Sequence, residues 1–306
     1  MATLWTQMLG AEVRFLDIDG IRTRVIVAGE GPALVFLHGS GGHSEAYAHN
    51  IVPLSKSLKV IAIDYLGHGL TDYPDKPPTM RDRADHVIGV LDALGVEKAC
   101  IAGESFGATI GFACVKHHSE RVSKLIAIVG GSFEHAGASE AAKYFQGVDG
   151  LAGRMRAFLE NPSIESVRAR LNWLFHKPER DVTDELVETR WRLYQQDSVR
   201  RAIADLCVVL DEDTKARARG LSPEERHEIV RPMTESELQS IEQPVLFIWT
   251  DHNPTLTIAT ARKAANMIPN SQFAIVEDCG HWPQWESPAE VNRLIEEFMA
   301  PALVAA

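Results

Sequence analysis

Short apolar runs rich in β-branched residues alternate along this chain with longer stretches whose apolar positions recur at helical spacing. Parallel strands joined by crossover helices produce that pattern. The runs 12–19 and 21–29 flank Gly20 and predict a hairpin, and further strands are predicted over 33–37, 60–64, 99–103, 125–130, 245–250 and 272–277. Amphipathic helices are predicted over 81–94, 106–117, 258–267 and 289–299. From Glu134 to Leu238 the strand pattern stops and the sequence turns charged and helical, until Pro244 opens another strand. Ile164, Val167, Leu171, Leu174 and Phe175 share a helical face within that region, so it can pack against a neighbour. The pattern predicts an α/β protein: a mostly parallel central sheet flanked by helices, its core built from 1–133 and 239–306. An inserted helical lid over 134–238 would lie over the rim of that core and shape a pocket.

Composition narrows the partners. With 306 residues, 45% of them hydrophobic, the chain can bury a sizeable core. Its cysteines, Cys100, Cys114, Cys207 and Cys279, show neither CxxC nor metal-ligand spacing. No disulfide framework or metal site is expected, and a reducing cytoplasm suits them. A net charge of −11 with no basic cluster argues against nucleic acid and anionic membrane surfaces. No stretch is long enough to span a bilayer, and Met1-Ala2-Thr3-Leu4-Trp5 lacks the basic-then-apolar pattern of an export signal. A small-molecule partner is the expectation.

The chemistry centres on Gly103-Glu104-Ser105-Phe106-Gly107. This string follows an apolar strand and precedes a helix, and that context separates a nucleophile turn from a chance G-x-S-x-G. A strand turning sharply into a helix exposes the serine oxygen, and small flanking residues let the backbone pass. Attack on a carbonyl needs donors for the developing negative charge. The backbone N–H of Phe106, at the start of the helix, is one candidate. The backbone N–H of Ser40, in the loop His38-Gly39-Ser40-Gly41-Gly42 after the 33–37 strand, is the other.

His281 follows the last predicted strand and comes after Ser105 in the chain, the order that this kind of serine chemistry uses, which makes it the expected general base. Its orienting acid is harder to assign. Asp251 is the nearest carboxylate after the 245–250 strand, yet the usual acid slot, four residues beyond Trp249, holds Asn253. Asp251 is taken first because it can compensate the imidazolium charge, with the neutral Asn253 as alternative and Glu134 as a third candidate.

These residues resemble the meta-cleavage-product hydrolases of the α/β-hydrolase superfamily, and within them the 2-hydroxy-6-oxo-6-phenylhexa-2,4-dienoate hydrolases. The resemblance spans most of the chain. Its most specific part is Cys279-Gly280-His281-Trp282-Pro283-Gln284-Trp285-Glu286, continuing to Asn292-Arg293-Leu294. A second match is Glu185-Leu186-Val187-Glu188-Thr189-Arg190-Trp191. The resemblance implies the α/β-hydrolase fold, no cofactor, a dienoate substrate, and assembly into a dimer. It also implies substrate contacts by Gly39, Arg190 and Trp282. Two features depart from the family pattern: Glu104 stands where relatives commonly carry asparagine, and the glycine loop is shorter than theirs.

Arg190 can also be read from its own surroundings. At about 100° per residue it falls on the arc of Leu186, Val187, Trp191, Leu193 and Tyr194. A guanidinium facing inward needs an anion or an acceptor, either a substrate carboxylate or an internal ion pair. Trp173, Phe175 and Trp191 add aromatic surface that suits an aryl-substituted substrate. The expected reaction is cleavage of the C5–C6 bond of a 2-hydroxy-6-oxo-hexa-2,4-dienoate by Ser105 and His281. The alternatives are a carboxylesterase or lactonase, a cofactor-free oxygenase, and a non-catalytic ligand receptor.

Overall fold

In the computed structural model, which describes residues 3–134, 159–160, 162–210, 228–229 and 231–303, the β-branched runs form one eight-stranded sheet. In chain order the strands are β1 (Glu12–Ile18), β2 (Ile21–Ala28), β3 (Ala33–Leu37), β4 (Lys59–Ile63), β5 (Ala99–Glu104), β6 (Val122–Ile128), β7 (Val245–Thr250) and β8 (Ser271–Val276). Their spatial order is β1-β2-β4-β3-β5-β6-β7-β8. The hairpin β1–β2 is antiparallel, as is the β2–β4 pair, and every pairing from β4 to β8 is parallel. Central strands β3 and β5 are buried along their whole length, as expected of strands covered on both faces.

The covering helices are α1 (Met80–Ala93) and α2 (Phe106–His117), and later α6 (Ile258–Met267) and α8 (Pro288–Leu303). Each lies within a few residues of the helix predicted from periodicity. Strand β6 begins and ends earlier than predicted. Val129 breaks it, with φ at 41°, so the chain leaves the sheet beside Ser105 instead of continuing to Gly130.

Among the described residues between β6 and β7, the longest helices are α3 (Ile164–Leu174), α4 (Asp184–Leu193) and α5 (Asp197–Leu210). Helix α3 starts with a capping box of Ser163 and Ser166, and buries Val167 and Leu171 as its spacing predicts. Phe175 is buried too, but in extended backbone just past the helix end. A bridge between Phe133 and Met233 closes the neck of this insertion. Much of the predicted lid, including 135–158 and 211–227, lies outside the described residues.

Among the described residues no helix is long and apolar enough to cross a membrane, and no cluster of His, Cys, Asp and Glu could hold a metal ion. Cys100, Cys114 and Cys279 are free and buried, while the Cys207 side chain is outside the described residues.

Strand order sets the position of the site. From β3 the chain passes to β4 on one side, and β5 lies on the other, so the loops leaving β3 and β5 diverge and open a crevice at the carboxyl edge. Gly39 and Ser40 line one wall of it, Ser105 the other.

Candidate active site

Ser105 stands between β5 and α2 with φ 53° and ψ −116°, a conformation that costs a residue with a side chain of the order of 1–3 kcal/mol. Packing holds it there. A Cβ on Gly103 would come within 2.2 Å of the Gly107 backbone, and one on Gly107 within 2.1 Å of the Leu37 carbonyl oxygen. A Cβ on Gly130 would meet the Ser105 carbonyl at 2.2 Å. The Ser105 N–H donates to the Ile128 carbonyl at 2.9 Å, tying the turn to β6. Both glycines of the G-x-S-x-G string are thus required by close backbone approach, and the serine is presented at the crevice.

Phe106 opens α2, and the first N–H groups of a helix have no intrahelical acceptor. Across the crevice Ser40 lines the same pocket, and its carbonyl oxygen accepts from Arg170 Nη2 at 2.8 Å. Beneath this loop His38 stacks on Tyr65 at 4.3 Å, and Tyr65 donates its hydroxyl proton to the Gly39 carbonyl at 3.1 Å. Burial pushes the His38 imidazole down to about 4, so it is a neutral support for the loop. The Gly39 N–H is engaged as well, donating to Glu104 Oε2 at 2.7 Å.

His281 lies on the loop after β8 and is 3% exposed. Its backbone N–H donates to the Leu174 carbonyl at 2.7 Å, at the end of α3. Glu286, in the short helix α7 (Pro283–Glu286), accepts from the N–H groups of Gly280, Trp282 and His176 and so clamps this loop to the insertion. Burial raises the Glu286 carboxyl above its ordinary value against those three hydrogen bonds.

Asn253 stands beside the His281 ring. Its Oδ1 lies 2.8 Å from His281 Nδ1, and Thr255 Oγ1 stands 3.2 Å from the same nitrogen. Asn253 Nδ2 donates to the Leu256 carbonyl at 3.0 Å, which fixes the amide so that Oδ1 faces the ring. Nδ1 therefore carries a proton and Nε2 faces the crevice.

Asp251, the first choice from sequence, makes other hydrogen bonds. Its carboxylate accepts from the backbone N–H of Asp278 at 3.0 Å and of Cys279 at 3.2 Å, well away from the imidazole's hydrogen bonds. Partial burial opposes its charge, but these hydrogen bonds prevail and hold its carboxyl below the usual value. Glu134 is exposed at the neck of the insertion, its backbone N–H donating to the Met233 carbonyl at 3.0 Å.

Arg190 is buried at 1% exposure on the inner face of α4, as its position on the apolar arc requires. Its Nε and Nη2 have no hydrogen-bond partner, and among the described residues it forms no ion pair. The guanidinium sits 4.7 Å from the centroid of the Trp282 ring, a cation–π contact. Burial shifts Arg190 below the ordinary arginine value.

Gly39, Ser40, Glu104, Ser105, Arg170, Leu174, Arg190, His281 and Trp282 line one small pocket. Three of its members, Leu174, Arg170 and Glu104, were not assigned a site role from sequence. Arg170 points inward from α3, donating to the Tyr194 hydroxyl at 3.1 Å as well as to Ser40. Its place three residues after Val167 and four before Leu174 put it on the apolar face, the same signal that identified Arg190. Glu104 is 1% exposed, and its Oε1 lies 3.2 Å from His281 Nε2. That contact is an ion-pair approach; no donor is aligned on Oε1 for a hydrogen bond.

Residues 32–288 match the alpha/beta hydrolase fold family. The chain is 31% identical to a 2-hydroxymuconate semialdehyde hydrolase of Pseudomonas sp. strain CF600, over 94% of this chain and 93% of that one. It belongs to the meta-cleavage-product hydrolases. A 2-hydroxy-6-oxo-2,4-heptadienoate hydrolase of Pseudomonas putida is 26% identical, covering 95% of this chain and 98% of the other. Among solved structures, a meta-cleavage product hydrolase from Pseudomonas fluorescens IP01 shares the fold with a TM-score of 0.76 at 24% identity, over 94% of this chain and 98% of that one. Hydrolysis of carbon–carbon bonds in ketonic compounds is the activity of this family, and the chain is an enzyme of that class.

Proposed function

We propose that this enzyme cleaves the C5–C6 bond of 2-hydroxy-6-oxo-hexa-2,4-dienoates with Ser105 as nucleophile and His281 as general base. The observation that carries the reading is Arg190, a buried guanidinium with unpartnered N–H groups in the same pocket as Ser105 and His281. Leaving a buried charge unpaired is costly, and a substrate carboxylate would supply the missing partner.

With its carboxylate at Arg190, the substrate reaches toward Ser105 with its C6 ketone. The dienol first becomes the keto form by proton transfer to C5. Ser105 Oγ then bonds to C6 while its proton passes to His281 Nε2, and the backbone N–H groups of Ser40 and Phe106 receive the oxyanion. Collapse breaks C5–C6. The electron pair of the broken bond forms C4=C5 and shifts through C3 to the C2 oxygen, which takes the proton from His281, and 2-hydroxypenta-2,4-dienoate departs; water then hydrolyses the acyl-serine. No step calls for a cofactor. Trp282, between Arg190 and Phe175, borders the carbon skeleton, and the Phe175–Trp282 ring contact at 5.3 Å supports an aryl group at C6. In this reading the helices between β6 and β7 act as a lid within 134–238, and the protein works in the cytoplasm, as a dimer.

The test is single-turnover spectroscopy with a panel of ring-fission dienoates and simple esters. Wild type should bleach the dienoates, and Ser105→Ala should bind them without releasing products. Rapid ester cleavage with no dienoate loss would assign the site to an esterase or lactonase instead, and oxygen uptake during turnover would assign it to an oxygenase.

A further inference from the structure

A serine hydrolase base becomes an imidazolium during acyl transfer, and a neutral amide cannot compensate that charge. Asn253 holds the Nδ1 side of His281, and Asp251 is spent on backbone N–H groups. The carboxylate that approaches the ring is Glu104, buried, 3.2 Å from Nε2 through Oε1 and anchored through Oε2 to the Gly39 N–H. Oε1 has no hydrogen-bond donor of its own.

We infer that Glu104 is the charge partner of His281, a positioning residue that supplies from the reacting side of the ring the compensation that Asn253 cannot give from the other. The inference rests on the serine–histidine reading of the site. When Ser105 Oγ bonds to its target, the Oγ proton moves to Nε2, and the new imidazolium forms beside a carboxylate already in place. An opposite charge at this range favours the protonated ring, and burial strengthens the effect. The same carboxylate fixes the Gly39 peptide, so one side chain joins the base to the oxyanion loop.

Other charges face this pair from each packed element. Arg190 and Arg170 stand on the insertion side. Tyr47 and Tyr65 lie beneath Glu104, both shifted well above the ordinary phenol value by burial, and hence neutral. Glu286 sits behind Gly280 and Trp282, engaged with their N–H groups. Among these, Glu104 alone presents a carboxylate to the imidazole Nε2.

The test measures labelling of Ser105 by a fluorophosphonate, followed by intact mass across pH, since that reaction uses the Ser105–His281 machinery without needing any carbon–carbon substrate. Glu104→Gln should label about tenfold more slowly, with the acidic limb of the rate profile displaced by about one unit to lower pH. Glu104→Asp keeps the charge but withdraws it, so its limb should fall between the two. Adding Asn253→Asp to Glu104→Gln restores a carboxylate on the opposite nitrogen and should recover most of the rate. A limb unmoved in Glu104→Gln and Glu104→Asp, or no recovery in the double variant, overturns the inference and leaves Glu104 as a support for the Gly39 loop. A protein that labels in this way but spares every dienoate would fail the proposed reaction, not this inference.

Discussion

The backbone N–H of His281 donates to the carbonyl oxygen of Leu174 at 2.7 Å, so the loop that carries His281 is fastened to the end of helix α3. Gly280 makes the approach possible. A Cβ there would stand 2.6 Å from that carbonyl and 2.5 Å from the His176 nitrogen. Gly280→Ala should therefore push the insertion away from the base. We expect a loss of about 2 kcal/mol in urea unfolding and a fall in kcat/KM of about 100-fold from misplacement of the imidazole. Unchanged kinetics would show that the base does not depend on this contact.

Arg190 predicts opposite effects on stability and function. Replacing a buried, unpaired guanidinium by an apolar side chain of similar length removes a desolvation cost, so Arg190→Met should raise stability by about 2 kcal/mol. The same variant should lose about 100-fold or more in kcat/KM for dienoates while sparing neutral esters. Thermal unfolding and steady-state kinetics on one preparation check both.

Asn253 and Asp251 separate orientation from scaffolding. Asn253→Ala frees the imidazole to rotate, and kcat should drop roughly 100-fold with little change in KM. Asp251→Ala leaves two backbone N–H groups without their acceptor, which should cost about 1–2 kcal/mol of stability and leave kcat close to wild type. Equal catalytic losses in both would contradict the assignment of the orienting group.

Glu237 gives a prediction about acid. Burial opposes its charge, but hydrogen bonds from Lys116, the Thr234 N–H and Arg231 outweigh it, and the carboxyl falls from 4.5 to about 2. A depressed carboxyl contributes stability that is fully present above its ordinary value and lost as pH falls through the folded one. Melting temperature should therefore decline as pH drops from 4.5 toward 2, and Glu237→Gln, less stable near neutrality, should decline less over that window.

The sheet was legible in the chain because central strands are continuous apolar runs, and those runs need no knowledge of their neighbours. Strand order was not, since no local pattern says that β3 lies between β4 and β5. Ser105 and His281 could be placed because flanking glycines and strand ends mark them. The partner of the His281 ring could not: charge favours Asp251, whereas the turn after Thr250 brings Asn253 to the ring through hydrogen bonds to Thr255 and Leu256. Glu104 was visible as a departure from the family pattern. Its meaning needed the distance to His281, which depends on the meeting of β5 and the loop after β8.

The turn at Ser105 is closed by three glycines, Gly103 against α2, Gly107 against the end of β3 and Gly130 against Ser105 itself, with no room at any of them for a methyl group. Its backbone thus cannot open without parting the middle of the sheet. In native-state hydrogen exchange the Ser105 amide, bonded to Ile128, should exchange only through global unfolding, on the same free-energy scale as the amides of β5. An exchange rate typical of surface loops would contradict this. The proposed nucleophile would then also be among the last parts of the molecule to come apart.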